Sequence, residues 1–178
     1  MMLKICSVAV LCMLCFSLHA QTLESPLIPD YGKIWDVPNA IKPDSSLVYK
    51  IAIDLKTRVS EPQKVNRGLD NVARMINLHA VGGINSENIK VAVAVHGGAT
   101  SIILNNDGYR QKHGVDNPNI ELIKQLKAAG VELYVCSQSM LFRGYEMEHV
   151  NKQVDVGLSM LTVVSEKMMN GYELLVFE

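Results

Sequence analysis

The chain has 178 residues and a formal net charge of −1, with 48% hydrophobic and 6% aromatic residues. The near-neutral charge, without a basic stripe interleaved with aromatic side chains, excludes the usual electrostatic design of a nucleic-acid-binding protein. High hydrophobic content with few aromatic residues is typical of an α/β domain packed with aliphatic side chains.

The N-terminus has the three parts of a secretory signal peptide. Lys4 carries a single positive charge, residues 5–18 are apolar, and Ala20 is a small residue suited to cleavage. We therefore predict a signal peptide over residues 1–20 and a periplasmic or secreted protein that begins at Gln21 and keeps no membrane span. The alternative is an uncleaved anchor, although the apolar stretch is short for a bilayer.

Residues 21–45 hold four of the six prolines, and this density excludes a long helix. The same segment contains Trp35, close to Tyr31 and Ile34. We predict an extended arm whose apolar side chains dock on the domain. A disordered leader is the alternative, but such segments rarely contain Trp and Ile. Residues 46–178 then form a single domain.

The first half of this domain alternates between strand and helix patterns. Residues 47–55 have the two-residue period of a strand. Residues 60–63 read as a capping box with Pro in the first turn, and they predict a helix that ends at the glycine pair 82–83. Residues 89–95 are an apolar run broken only by Lys90, which indicates a central parallel strand buried on both faces.

The second half repeats the alternation. A weaker helical pattern covers residues 102–113, where Asp107-Gly108 is a candidate interruption, and a clear helix begins at Asn117-Pro118 and ends at Gly130. Three further strands are predicted over residues 131–136, 154–156 and 172–177. One further helix is predicted to be capped by Ser139 and to run towards Val150. The last helix is predicted to end at Asn170-Gly171, and the residues on one of its faces are Leu158, Leu161, Val164 and Met168. Such alternation predicts a parallel sheet with helices on both faces.

Two predicted strands end in residues with reactive side chains, His96 and Cys136. Ligands of open α/β sheets bind beyond the carboxyl ends of the strands, and a neighbouring imidazole or a helix N-terminus favours the thiolate. Once the signal peptide is removed, Cys136 is the only thiol and has no internal disulfide partner. The turn over residues 137–139 would supply backbone N–H groups to an anion there.

These residues also have structural explanations. Cys136 could be an inert core residue, because free Cys is among the most buried residue types. His96 could be a turn residue bonded to backbone, and the Gly97-Gly98 loop lacks the Lys and the spacing of a phosphate loop. Only Glu146 and His149 have the helical spacing of metal ligands, and two ligands make no site.

Three blocks of the sequence resemble the DsrE/DsrF-like sulfur-relay family. They are residues 91–99, 117–139 and 170–177, and the middle block is the most specific because an Asn-Pro-Asn helix runs through Gly-Val and a strand into Cys-x-Gln-Ser. The resemblance implies a three-layer α/β/α domain with a parallel sheet of about five strands, an ordinary size for a sheet. It also implies a homotrimer or hexamer, and a persulfide carried on a strand-end cysteine.

Cys136 matches the family's strand-end cysteine and His96 its strand-end histidine. We therefore expect a sulfur carrier or transferase that binds or transfers sulfane sulfur on Cys136 and exchanges it with donor and acceptor thiols, without a metal or organic cofactor. The alternative is a non-catalytic oligomeric binding module whose cleft holds a small anion or a partner loop. The residues predicted to bind the anion are Gly97, Gly98, Ser137, Gln138 and Ser139.

Overall fold

The computed structural model describes residues 22–178, so the predicted signal peptide lies outside the described residues. The strands are β1 (Leu23–Glu24), β2 (Ile34–Trp35), β3 (Tyr49–Leu55), β4 (Ile89–Val95), β5 (Glu132–Cys136), β6 (Asp155–Gly157) and β7 (Glu173–Phe177). The α-helices are α1 (Arg67–Val81), α2 (Asn106–His113), α3 (Ile120–Ala128), α4 (Ser137–Phe142) and α5 (Met160–Met169), and short 3₁₀ helices cover Ser86–Asn88, Gly97–Ile103 and Met147–His149.

Five of the strands form one parallel sheet in the order β6-β5-β4-β3-β7. The register places Val95 of β4 opposite both Leu55 of β3 and Val135 of β5, so these three strands end at the same level. The strand that carries His96 is therefore the neighbour of the strand that carries Cys136. The parallel α/β fold predicted from the sequence is confirmed.

The two faces of the sheet differ in the size of their side chains. On one face Ile53, Val93 and Leu133 are fully buried, and α1 and α3 pack there to form the main core. On the other face the central strands present Ala52 and Ala92, and α5 contacts all five strands from that side. Alanines leave room for a helix to approach the sheet closely. The start of α5 lies near the strand ends because α5 begins three residues after the last residue of β6.

The start of α1 differs from the predicted capping box. The helix is capped by Asn66, whose Oδ1 accepts from the N–H groups of Gly68 at 3.0 Å and Leu69 at 3.2 Å. Residues 60–64 form a turn before it. Asn66 is itself anchored, because its N–H donates to Asn119 Oδ1 at 2.8 Å, and this tertiary bond favours the later cap. The predicted end of the helix at Gly82 is confirmed.

Two further helices differ from prediction. The pattern over residues 102–113 divides into the 3₁₀ helix Gly97–Ile103 and α2, and Gly108 lies inside α2 because Asn105 caps that helix through the Gly108 N–H. The helix predicted from Ser139 to Val150 instead begins directly after Cys136 and ends at Phe142. A left-handed Gly144, at φ +66°, turns the chain there.

The N-terminal arm lies against the domain. Ile28 and Ile34 are buried, whereas Trp35, which was expected to dock, is half-exposed. The arm is held by Asn77, whose Oδ1 accepts from the N–H groups of Leu27 and Ile28, both at 3.0 Å. No helix within residues 22–178 has both the length and the apolar character needed to cross a bilayer.

Candidate functional site

Cys136 is the last residue of β5, and α4 begins at the next residue. Its side chain is buried, with the residue only 4% exposed. In the register of the sheet Cys136 lies opposite Gly157 at the end of β6. The chain that leaves Gly157 to begin α5 therefore passes beside the thiol.

Polar groups from two elements surround the sulfur. Burial acts to raise the pKa of Cys136, but hydrogen bonds from the Ser139 hydroxyl, from the N–H groups of Met160 and Ser139 and from the Ser159 hydroxyl lower it, and the net direction of the pKa is down. The Ser159 contact is long, with 3.9 Å between Sγ and Oγ, and its effect is the smallest. The site therefore favours the thiolate, which is the nucleophilic form of cysteine.

Ser139 connects the thiol to the loop after β4. Its hydroxyl oxygen accepts a hydrogen bond from the Gly97 N–H at 3.3 Å. Because that oxygen is used as an acceptor, the hydroxyl proton is available to the sulfur of Cys136. The structure thus brings together Cys136, Ser139 and Gly97 of the residues predicted from the sequence.

Ser137 and Gln138 have a different partner. Ser137 Oγ donates to the carbonyl oxygen of Leu158 at 2.7 Å, and Gln138 Nε2 donates to the same oxygen at 3.4 Å. These two side chains thus hold the segment after β6. Ser137 and Gln138 follow Cys136 directly in the chain, but their side chains donate hydrogen bonds to the backbone carbonyl of Leu158.

His96 is paired with a carboxylate. Its Nε2 hydrogen-bonds Asp54 Oδ1, and both side chains are mostly buried. The N–H of His96 also donates to the carbonyl of Leu55 at 3.0 Å, which fixes the residue at the end of the sheet. Sequence reasoning missed Asp54, although an acidic residue near the end of a buried strand is an unusual feature that could have indicated it.

Basic residues flank the loop after β4. A Cβ atom on Gly98 would lie 2.4 Å from Arg58 Cγ, so only glycine allows this close approach. Lys56 lies beside Gly97 and its Nζ pairs with Glu178 Oε1 at 2.6 Å. The segment after β3 therefore packs the stems of two basic side chains against the predicted anion-binding loop, while the Lys56 ammonium is used in its pair with Glu178.

The acidic segment that precedes β6 also differs from the helix predicted for it. Glu146, Glu148 and His149 bring three potential ligand atoms within 4.8 Å of one another on a short 3₁₀ turn. In the sequence, only Glu146 and His149 have the helical spacing of metal ligands. Both carboxylates are exposed to solvent.

The sheet order, the helices on both faces and the thiol at the carboxyl end of an inner strand define a three-layer α/β domain with a strand-end cysteine site. The sequence model of the DsrE/DsrF-like family matches residues 51–177, and the chain belongs to this sulfur-relay-type family. No curated protein matches the chain.

Solved structures support the same fold. The chain is similar to MTH1491, a protein of unknown function from Methanobacterium thermoautotrophicum, with 16% identity, a TM-score of 0.54, and coverage of 72% of this chain and 99% of that chain. It is also similar to the ychN protein from E. coli, with 17% identity, a TM-score of 0.53, and the same coverage of 72% and 99%. At these identities the likeness concerns the fold alone.

Proposed function

We propose that this chain is an exported sulfur carrier in which Cys136 accepts sulfane sulfur as a persulfide and passes it to an acceptor thiol. The observation that carries the proposal is the position of Cys136 at the carboxyl end of β5, where Ser159 Oγ lies 3.9 Å from Sγ and nearby hydrogen-bonding groups lower the pKa of the thiol in spite of its burial. Membership of the DsrE/DsrF-like family supports the same chemistry. Export is part of the proposal and rests on the apolar stretch of residues 5–18 and the small residue Ala20.

The transfer is an exchange at divalent sulfur. The Cys136 thiolate attacks the outer sulfur of a donor persulfide, the S–S bond of the donor breaks, and the donor thiolate leaves with the electron pair. Cys136 then carries one additional sulfur atom. An acceptor thiolate attacks that outer sulfur in turn and releases the Cys136 thiolate, so the two steps involve no net oxidation and need no metal or organic cofactor.

The groups around Cys136 have defined parts in this reaction. The Ser139 and Ser159 hydroxyls and the Met160 N–H stabilise negative charge on the sulfur, both before attack and when Cys136 is the leaving group. The pair of His96 and Asp54 places a polar group at the end of the neighbouring strand. Donor and acceptor thiols are the partners that this mechanism requires.

Intact mass of the exported chain, measured after incubation with polysulfide, tests the proposal. We expect a mass that corresponds to a chain beginning at Gln21 plus one or more sulfur atoms on Cys136. The variant Cys136→Ser should retain the fold and gain no sulfur, whereas the control Ser165→Ala, which alters an exposed hydroxyl of α5, should load like the wild type. A wild-type chain that takes up no sulfur would refute the sulfur-carrier function.

The 4% exposure of Cys136 favours a second candidate function, a non-catalytic oligomeric binding module in which this residue is core. In that case Cys136→Ser would place a hydroxyl in a packing site and cost about 1–3 kcal/mol of unfolding free energy. Alkylation separates the two functions, since a core thiol reacts only after unfolding. Reaction of Cys136 at neutral pH in the folded protein would exclude the second function.

A further inference from the structure

Cys136 is almost completely buried in this structure. A sulfane sulfur donor must bring its outer sulfur into contact with Sγ, but the residue is only 4% exposed. Burial and nucleophilic function are compatible only if some part of the cover moves.

The cover is the connection Leu158–Met160 between β6 and α5, which we call the lid. Ser159 Oγ lies 3.9 Å from Sγ, and the Met160 N–H is among the groups that lower the pKa of the thiol. Leu158 and Ser159 belong to neither a strand nor a helix. The lid therefore contacts the sulfur directly. Ser159 caps α5, since its Oγ accepts from the Leu161 N–H and its carbonyl accepts from the Thr162 hydroxyl and the Val163 N–H, whereas the Leu158 carbonyl is held from the side of α4.

Few contacts hold the lid closed on the side of α4. The Leu158 carbonyl accepts from Ser137 Oγ at 2.7 Å and from Gln138 Nε2 at 3.4 Å, and both bonds lie at the surface. The Leu158 side chain is 70% exposed and adds little apolar burial. Segments with few buried contacts and solvent-exposed hydrogen bonds are the ones that open most readily.

We propose that Leu158–Met160 is a lid latched over Cys136 by Ser137 and Gln138, and that it opens to admit the sulfur donor; this rests on the proposed function of Cys136. Opening breaks the two bonds to the Leu158 carbonyl and exposes Sγ. Closing returns the Ser159 hydroxyl and the Met160 N–H to the sulfur. Ser137 and Gln138 thus control access to the thiol, whereas Ser139 lowers the pKa of the thiol.

The rate of alkylation of Cys136 by iodoacetamide in the folded, exported chain tests the lid. We expect the double variant Ser137→Ala/Gln138→Ala to react about three- to tenfold faster than the wild type, because two modest hydrogen bonds are lost. The pH midpoint of the reaction should not fall, because neither side chain bonds the sulfur and a more open lid takes the Ser159 hydroxyl and the Met160 N–H away from it. The control Ser165→Ala/Gln111→Ala, at two exposed positions, should react at the wild-type rate.

A conservative variant guards against an indirect effect on folding. Ser137→Thr keeps the hydroxyl and should retain the wild-type rate, whereas Ser137→Ala alone should react faster. If the double variant does not fold, this pair of single variants decides the matter. Equal rates for Ser137→Ala, Ser137→Thr and wild type would overturn the lid.

Sulfur loading, measured on the same proteins, separates the two proposals. Faster alkylation of the double variant together with no sulfur uptake by any protein would refute the sulfur carrier and retain the lid. An unchanged alkylation rate together with normal sulfur uptake would refute the lid and retain the carrier.

Discussion

At the scale of single residues, the chemistry of Cys136 depends on a balance between burial and hydrogen bonding. Burial disfavours the charged thiolate, yet the surrounding hydroxyl and N–H groups lower the pKa below the ordinary value for cysteine. Ser139 has the largest effect among these groups. Because its oxygen accepts from the Gly97 N–H, the hydroxyl is both oriented and polarised towards the sulfur.

Substitution of Ser139 by Ala should therefore raise the pKa of Cys136. In the wild type the alkylation rate should be maintained to a lower pH than for free cysteine in the same buffer, and it should fall as the pH drops through the folded-state pKa. In Ser139→Ala this fall should occur at higher pH. The measurement is the rate against pH by mass spectrometry.

The control for this experiment is Ser165→Ala, which removes an exposed hydroxyl remote in sequence from the thiol. The same pH profile for wild type and Ser139→Ala would contradict the assignment. The linked effect on stability has a defined sign. A thiol whose pKa is lowered by folding stabilises the protein above its unfolded-state pKa, and this stabilisation disappears as the pH falls through the folded-state value.

At the scale of elements, strands were predictable and helix starts were less so. The apolar runs of β4 and β5 identified buried parallel strands, because their composition alone distinguishes them. The start of α1 was misplaced because the turn at residues 60–64 carries a local capping signal, while the cap at Asn66 is favoured by a bond to Asn119. Local sequence does not record such a tertiary partner.

The same reasoning explains what the sequence revealed of the site. His96 and Cys136 were identified because they follow apolar strands, and strand order then placed them on neighbouring strands. The partner of His96, Asp54, lies 42 residues earlier, and its role depends on β3 and β4 being adjacent. Likewise, the lid follows β6 in the chain, and it contacts Cys136 only because β5 and β6 are adjacent in the sheet. This contact could not be derived from the spacing of residues in the sequence.

The arm and α1 provide a test of stability at this scale. Asn77 is fully buried, and its Nδ2 donates to the carbonyls of Tyr31 at 3.0 Å and Gly32 at 3.2 Å, in addition to the two bonds that its Oδ1 accepts. Asn77→Ala would leave these backbone groups unsatisfied and should lower the unfolding free energy by about 3 kcal/mol. Urea denaturation measures this change.

Asn77→Ala should also make the arm sensitive to protease before the domain unfolds, because the arm loses its main polar anchor. The matched control is Asn71→Ala on the same helix, whose side chain makes only an exposed bond to Arg74. If both variants lost equal stability, Asn77 would have no special role in docking the arm.

At the scale of the whole molecule, one edge of the sheet exposes apolar side chains. Within residues 22–178, β7 pairs only with β3, and three consecutive residues of β7, Leu174, Leu175 and Val176, are exposed although successive side chains point to opposite faces. The face of α5 predicted to be buried is also largely exposed, since only Val164 of that set is covered. An exposed apolar edge strand favours pairing with another chain.

We propose that β7 lies in the interface of a homo-oligomer, a trimer or hexamer, as the family resemblance implies. Val176 is 47% exposed, so Val176→Lys should leave the protomer folded but place a charge in the interface. Light scattering of the purified chain that begins at Gln21, at micromolar concentration, should give a trimer or hexamer for the wild type and a smaller species for the variant. Ile41→Lys, at a fully exposed residue of the arm, should retain the wild-type mass. A monomeric wild type would reject the oligomer, and a Val176→Lys variant that keeps the wild-type mass would exclude β7 from the interface.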